Sequence, residues 1–133
     1  MGFLKPWSEQ IYAAMRIVVG FLFLCHGVQK LMAGGAPPQM PAALFWAAAL
    51  IETGAGLLVM IGLFTGIAAF LASGTMAVAY FMAHFPAGLE SLPWGLLPIQ
   101  NKGEPAALYC FVFLYIAARG SGLWSVDAAR GQG

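Results

Sequence analysis

Four long apolar runs, separated by short stretches rich in Gly and Pro, constrain this sequence more than any other feature. A helix needs about 20 predominantly apolar residues to cross the hydrocarbon core of a bilayer. The runs cover residues 11–32, 42–61, 67–85 and 105–120. They predict an all-α membrane protein in which residues 1–133 form one domain, a bundle of four transmembrane helices.

The scarcity of charge agrees with this prediction. Only 8% of the residues are charged and 61% are hydrophobic, whereas soluble domains carry about 25% charged residues. Such a chain cannot cover a globule with polar surface, so we expect the lipid bilayer to be its main partner. The net charge is +1 and the six basic residues are scattered. This argues against nucleic acid as a partner, because phosphate binding needs clustered Lys and Arg.

Four spans would put both termini on the same side of the membrane. The basic residues fall unequally on the two sides, with Lys5, Arg16, Arg119 and Arg130 on the side of the termini and Lys30 and Lys102 on the other. The positive-inside rule then predicts that both termini lie in the cytoplasm.

The third helix is expected to end at Pro86, because the following stretch, residues 86–104, is rich in Pro and Gly. Trp94 and the pair Leu96 and Leu97 suggest that this loop rests on the membrane surface, where indole rings are favoured.

Small residues are placed where helices can pack closely. Ala69, Ser73 and Ala77 share one face of the third helix, and the second helix contains Gly54 and Gly56. Such residues let helix backbones approach in lipid. The face on the third helix suits a contact inside the bundle or, equally, a homodimer.

Ionisable residues within the apolar runs are the best pointers to function, because a charge at mid-bilayer costs a few kcal/mol on insertion scales. Arg16 and Lys30 lie near opposite ends of the first helix, so their long side chains are expected to reach the membrane surface. Glu52 lies midway along the second helix and is too short to do so. It is either a carboxyl that holds helices together or a functional acid in a polar pocket.

A rise of 1.5 Å per residue gives approximate depths for these groups. Counted from the cytoplasmic face, Glu52 lies about 15 Å up, His26 about 21 Å, and Lys30 and His84 about 27 Å. His26, Gln29 and Lys30 also share one helix face. We therefore predict one polar pocket open to the outer side, where His26 meets Glu52 and His84 lines the mouth with Lys30.

Neither metal nor dithiol chemistry is expected. Cys25 and Cys110 stand alone in apolar runs, without a CxxC pair, and are interpreted as small core residues. Two histidines and one glutamate lack a specific metal-ligand spacing, so no metal site is predicted.

The sequence resembles the DoxX family over nearly its whole length. The first helix follows the family's R-x-x-x-G-x-x-F-x-x-H-G-x-x-K-L pattern from Arg16 to Leu31. The second resembles its E-x-x-x-G-x-x-L-x-x-G-x-x-T segment from Glu52 to Thr65, and residues 79–84 resemble its third helix, which often ends in a histidine. The end of the chain is similar to the family's G-x-x-S-x-D tail, at Gly122, Ser125 and Asp127.

The resemblance implies a four-helix protein of the bacterial inner membrane. Some family members are small subunits of membrane redox complexes, including thiosulfate–quinone oxidoreductases, and one belongs to a complex for thiol and radical stress. We therefore expect a redox subunit with quinone as the candidate ligand. The sequence itself contains no CxxCH, cluster-binding cysteines or dinucleotide fingerprint, so its catalytic residues are unknown and the electron carrier is expected elsewhere.

Two other classes of function remain open. The buried charges also suit a small-solute or proton-coupled transporter with a site near the midplane. Alternatively, the chain is a non-catalytic membrane scaffold whose buried polar residues fix helix register. A pocket open to both sides favours transport, and a pocket open to one side favours the other two.

Overall fold

The computed structural model describes residues 2–132, and in this range the chain forms helices and no strand. The α-helices, in chain order, are α1 (Ser8–Ala33), α2 (Ala42–Ile61), α3 (Thr65–Ala79), α4 (Phe85–Leu89), α5 (Glu104–Arg119) and α6 (Val126–Ala129). A π-helical turn, Tyr80–His84, joins α3 to α4, and 3-10 turns lie at Lys5–Trp7 and Trp94–Leu96. The predicted all-α fold is confirmed.

Three helical stretches in the described range are long and apolar enough to cross a membrane: Lys5–Ala33, Ala42–Ile61 and Thr65–Leu89. They correspond to the first three predicted spans. The fourth predicted span, α5, has 16 residues, about 24 Å at 1.5 Å per residue. It is therefore shorter than the hydrocarbon core of about 30 Å.

The helices form an antiparallel bundle in which α1 packs on α2, α2 on α3, and α3 on α5. The Tyr12 hydroxyl donates a hydrogen bond of 2.5 Å to the Gly120 carbonyl, so both ends of the described chain meet at one end of the bundle. We call this the N-terminal end, which also carries the turn between α2 and α3. The opposite end, called the far end, carries the loops 34–41 and 90–103.

Glycines allow α1 and α2 to approach backbone to backbone. A Cβ added at Gly20 would lie 2.6 Å from the Met60 nitrogen, and one added at Gly56 would lie 2.5 Å from the Leu24 nitrogen. Close packing was predicted for Gly56 and is confirmed. It was wrong for Gly54, which is exposed on the outer face of α2 with open space around it.

The small-residue face of α3 packs on α5 of the same chain. Ala69 and Ser73 are buried, and the Ser73 hydroxyl donates a hydrogen bond of 2.8 Å to the Cys110 carbonyl. This face therefore makes a contact inside the bundle.

The turn between α2 and α3 is set by glycine. Gly62 has a φ of 73°, which costs little without a Cβ. Its N–H bonds to the Val59 carbonyl and the Leu63 N–H bonds to the Leu58 carbonyl, which is the Schellman pattern of helix termination. The chain reverses within three residues, so α2 and α3 form an antiparallel hairpin.

Pro86 does not end the third helix as predicted. Proline has no backbone N–H, so it cannot donate the helical hydrogen bond to the carbonyl four residues earlier. Here the Phe85 N–H reaches back five residues to the Tyr80 carbonyl, and the resulting π turn carries the helix on into α4. Proline thus sits at the second position of α4, where a missing N–H is tolerated.

The packing of α1 on α5 relies on large side chains instead of backbone approach. The Phe23 and Phe113 rings lie 4.7 Å apart between centroids, and Tyr12 meets Tyr115 edge-on at 5.9 Å. A groove of about 420 Å³ remains between the two helices toward the far end, with Val19, Leu22, Leu108 and Val112 among its lining residues.

We predict that Gly56→Ala destabilises the bundle, because the new methyl group would collide with the backbone of α1. Overpacking of this kind typically costs about 1–3 kcal/mol. The matched control is Gly54→Ala, two residues away on the outer face of the same helix. Thermal unfolding in detergent, followed by circular dichroism, should show a lower midpoint for Gly56→Ala alone. Equal midpoints for the two variants would contradict the close α1–α2 contact.

Candidate functional site

An ion pair with a buried carboxylate and a partly exposed lysine links α1 and α2 in the half of the bundle toward the far end. The Lys30 Nζ lies 2.5 Å from the Glu52 Oε2. The Glu52 side chain is 3% exposed and that of Lys30 is 28% exposed. Lys30 was expected to reach the membrane surface and to line the mouth of the pocket; its ammonium group contacts the Glu52 carboxylate, while part of the side chain stays exposed. The pair has an opening to the outside through its lysine.

α1 and α2 are held at the right separation for this pair by Gly27. A Cβ at this position would collide with the Thr53 backbone nitrogen and hydroxyl. Because residues 27 and 53 touch directly, the side chains of Lys30 and Glu52 are within reach of each other. Ions in lipid need a partner, and this contact supplies one to each.

His26 does not meet Glu52 as predicted. It lies on the exposed side of α1, and its ring packs edge-on against Tyr109 of α5, with 6.1 Å between centroids. It lies one helical turn from Lys30, a spacing that makes the two residues neighbours on the helix surface. Among the described residues no hydrogen bond from the imidazole is formed, so both ring nitrogens are free to bind another molecule.

Tyr109 was missed by sequence reasoning. It lines the groove between α1 and α5 together with Glu104, and its ring stacks on Phe113 with 5.9 Å between centroids. Tyr109 lies about one and a half turns into α5, at a depth in the bundle similar to that of His26. A comparison of depths could therefore have predicted that the two residues are neighbours. The groove therefore has apolar walls and a polar region formed by Tyr109 and Glu104, and His26 packs against Tyr109 beside it.

Two other predicted pocket residues lie apart from the ion pair. Gln29 is exposed on α1. The His84 Nδ1 lies 3.0 Å from the Asn101 carbonyl oxygen, so His84 fastens the loop before α5. No hydrogen bond joins either residue to Lys30 or Glu52 within residues 2–132. The predicted single pocket is thus reduced to Lys30 and Glu52, with His26 one turn away.

The two cysteines also differ in environment. Both thiols are free, Cys110 is partly buried, and Cys25 is exposed. The interpretation of Cys25 as a core residue was therefore wrong. Within the described range no group of three or more His, Cys, Asp or Glu side chains is arranged to hold a metal ion.

Arg16 forms a second polar site near the N-terminal end. It was expected to reach the membrane surface but is fully buried. One terminal nitrogen donates to the Val59 and Met60 carbonyls at 2.6 and 2.9 Å. The other donates to the Leu123 and Trp124 carbonyls at 3.1 and 2.8 Å. Arg16 thus ties the end of α2 to the chain that follows α5.

Asp127 completes this site by capping α3. Its carboxylate accepts hydrogen bonds from the Phe64 and Thr65 N–H groups and from the Thr65 hydroxyl, at 2.9–3.0 Å. An acidic group is favoured at this position, where helix N–H groups lack partners. Burial would raise the pKa of Asp127, but these hydrogen bonds outweigh it and hold the pKa below the ordinary value of 3.8.

The N-terminal end is closed by close contacts around Gly62. A side chain at this position would collide with the Ser125 Cβ and lie 2.9 Å from an Arg16 terminal nitrogen. The Asp127 N–H also bonds to the Gly62 carbonyl at 2.8 Å. The chain after α5 therefore packs directly against the α2–α3 turn.

These features define a multi-pass helical membrane protein with two separate buried polar sites. The sequence model of the DoxX family matches residues 11–85, more than half of the chain. The chain belongs to the DoxX family. A Haemophilus influenzae protein described as an uncharacterized protein is similar over nearly its full length, with 37% identity and coverage of 96% of each chain. No solved structure matches the chain.

We predict that Asp127→Asn destabilises the fold at neutral pH by about 1–3 kcal/mol, because buried donors lose a charged acceptor. Since the native pKa is lowered, the contribution of the carboxylate is complete above pH 3.8 and disappears as the pH falls through the native value. The gap between the unfolding midpoints of the variant and the wild type should therefore narrow as the pH falls below 3.8. Glu90→Gln, at the far end, is the control, and a gap that does not narrow as the pH falls below 3.8 would contradict the role of the carboxylate.

Proposed function

We propose that the chain is a small subunit of a membrane redox assembly, and that it holds the ring of a quinone-type lipid in the groove between α1 and α5. The observation that carries the proposal is the buried Lys30–Glu52 pair one helical turn from His26, whose ring meets Tyr109 beside that groove. A ring carbonyl can accept hydrogen bonds from an imidazole or a phenol. An apolar groove with few polar groups is typical of a small-molecule site.

The ion pair would serve as the proton store of this site. Reduction of a quinone takes up two protons along with two electrons, and oxidation of the quinol releases them. His26 is suited to pass protons near neutral pH, and Lys30 lies next to it on the same helix. The electrons would come from a partner subunit, which makes this chain one component of an assembly.

The transmembrane arrangement belongs to the same proposal. We propose that α5 is the fourth span, that the termini lie in the cytoplasm and that the membrane is the bacterial inner membrane. An even number of spans agrees with the contact of Tyr12 with Gly120, because it brings both ends of the chain to one end of the bundle. The surplus of basic residues at that end supports the orientation.

Transport is less well supported by the geometry. Alternating access requires a path from the site to each end in turn. Toward the N-terminal end the way is filled by Gly20 against Met60 and by the fully buried Arg16. The opening of the Lys30–Glu52 pair is on one side, which favours exchange with a lipid-soluble molecule over passage of a solute.

Purification from native membranes in mild detergent, followed by lipid extraction and mass spectrometry, tests the ligand. We expect ubiquinone or menaquinone with the wild type and up to about tenfold less with His26→Phe, since a lost hydrogen bond costs about 0.5–1.5 kcal/mol and about 1.4 kcal/mol is tenfold in affinity. Cys25→Ala, next to His26 and also exposed, should retain the quinone. Phospholipid alone with the wild type contradicts the proposal.

Glu52→Gln tests the proton store separately. The amide can still accept a hydrogen bond from Lys30, so we expect normal amounts of protein in the membrane. It cannot take up a proton, so quinone-linked electron transfer in these membranes should fall by about tenfold or more, in the range of general acid–base effects. Full electron transfer with Glu52→Gln would favour the scaffold interpretation.

A further inference from the structure

The loop between α4 and α5 is built from apolar residues that point outward. Ten consecutive residues, 91–100, carry no charge. Six apolar side chains in and just before this segment are each at least 41% exposed, namely Leu89, Leu92, Trp94, Leu96, Leu97 and Ile99. A water-exposed loop of this composition would leave a large apolar patch in solvent, which soluble surfaces avoid.

The loop has a defined shape that keeps these side chains outside. Gly88 and Gly95 approach so closely that a Cβ on either would collide with the carbonyl oxygen of the other. The buried Asn101 accepts a hydrogen bond of 2.9 Å from the Gly103 N–H through its side chain. The segment between these points therefore cannot turn its apolar groups inward without breaking contacts that the structure makes.

From the far end, the loop runs back along the side of the third helix toward the middle of the bundle. Successive loop residues meet successively earlier helix residues: Gly95 contacts Gly88, Asn101 bonds to His84, and Gly103 lies against Tyr80. Residues 80 and 88 are eight positions apart on the helical stretch Thr65–Leu89, which corresponds to a descent of about 12 Å.

The depth of this descent can be compared with the bilayer. The stretch Thr65–Leu89 has 25 residues, or about 37 Å at 1.5 Å per residue. This exceeds the hydrocarbon thickness of about 30 Å but not the 40–45 Å that includes the headgroups. Because α5 begins beside Tyr80, about 24 Å along, the loop passes through the boundary between headgroups and acyl chains.

We infer that residues 91–100 are inserted into the leaflet at the far end of the bundle, with Leu92, Trp94 and Ile99 in contact with acyl chains. The partner of this surface is the bilayer itself. The apolar surface is continuous with the lipid-facing side of the third helix, where Phe81 and Met82 are also exposed. The inserted loop makes up the length that α5 lacks, so the wall of the bundle is apolar over the full thickness.

Cysteine labelling tests this inference independently of any quinone. Ile99→Cys and Gln39→Cys are made in a chain whose Cys25 and Cys110 are replaced by Ala. Residue 39 is exposed in the other loop at the far end, so both thiols face the same side whatever the orientation in a vesicle. The purified proteins are reconstituted in phosphatidylethanolamine–phosphatidylglycerol vesicles and treated with a charged, membrane-impermeant maleimide.

We expect Ile99→Cys to react at least about tenfold more slowly than Gln39→Cys, because a charged reagent does not enter the acyl region. Equal rates in dodecyl sulfate verify that both thiols are reactive. Equal rates in vesicles would overturn the inference. Fast labelling of Ile99→Cys in vesicles but slow labelling in native membranes would also overturn it, and would assign the surface to a partner protein.

Fluorescence of Trp94 gives a second measurement that needs no new cysteine. In a variant with Trp7, Trp46 and Trp124 replaced by Phe, Trp94 is the remaining indole. Lipids brominated high on the acyl chain should quench it more than lipids brominated near the chain end, and aqueous iodide should quench it weakly. Strong quenching by iodide without quenching by brominated lipid contradicts insertion.

Discussion

Burial of charge in a medium without water is the constraint on which the structure depends. Every ionised group inside the bundle must find its partner within the chain, and the partners found are different at the two sites. Arg16 donates hydrogen bonds to four backbone carbonyls. Two belong to the last turn of α2 and two to the segment after α5, so all four are in place only when both segments pack on α1. Lys30 is satisfied by Glu52, one side chain on the neighbouring helix. The first arrangement locks three segments together, whereas the second joins two helices through a single side-chain contact.

Close helix packing is what makes both arrangements available. Gly20, Gly27 and Gly56 remove the side chains that would separate α1 from α2, so long polar side chains reach across a short distance. By contrast, α1 and α5 are held apart by the rings of Phe23, Tyr109 and Phe113. A groove remains between α1 and α5. The bundle thus has a tight α1–α2 contact that carries the ion pair and a looser α1–α5 contact with a groove between the helices.

The sequence was sufficient to locate the three long helices and the charged residues within them, but not the partners of those residues. Hydrophobic run length located α1, α2 and α3 because the bilayer sets the length of a span, and the cost of intramembrane charge selected Arg16, Lys30 and Glu52. Glu52 was paired with His26 because the two residues lie at similar depths. Depth does not determine which way a side chain points around its helix axis, and this rotation is set by helix packing, so the pairing failed. Arg16 was predicted to extend toward the nearest membrane surface. The sequence of the first helix does not reveal that the segment after α5 covers Arg16 and accepts its hydrogen bonds. Pro86 was predicted to end the third helix. The π turn that carries the helix past it depends on a hydrogen bond from the Phe85 N–H to the Tyr80 carbonyl, five residues earlier, which local helix propensity does not predict.

The family motifs gain a physical explanation from these contacts. Two motifs that are far apart in sequence meet at the N-terminal end. One supplies Gly62 and Thr65 and the other supplies Ser125 and Asp127. Arg16, from the motif of the first helix, lies against Gly62 at the same end. They fasten the tail to the α2–α3 turn and therefore account for stability. His26, Lys30 and Glu52 lie on the other side of the Gly20–Gly56 contact and have no comparable structural task beyond their own pairing. A buried ion pair is often no more stabilising than apolar residues of the same size, so stability alone does not account for a lysine and a glutamate at this contact.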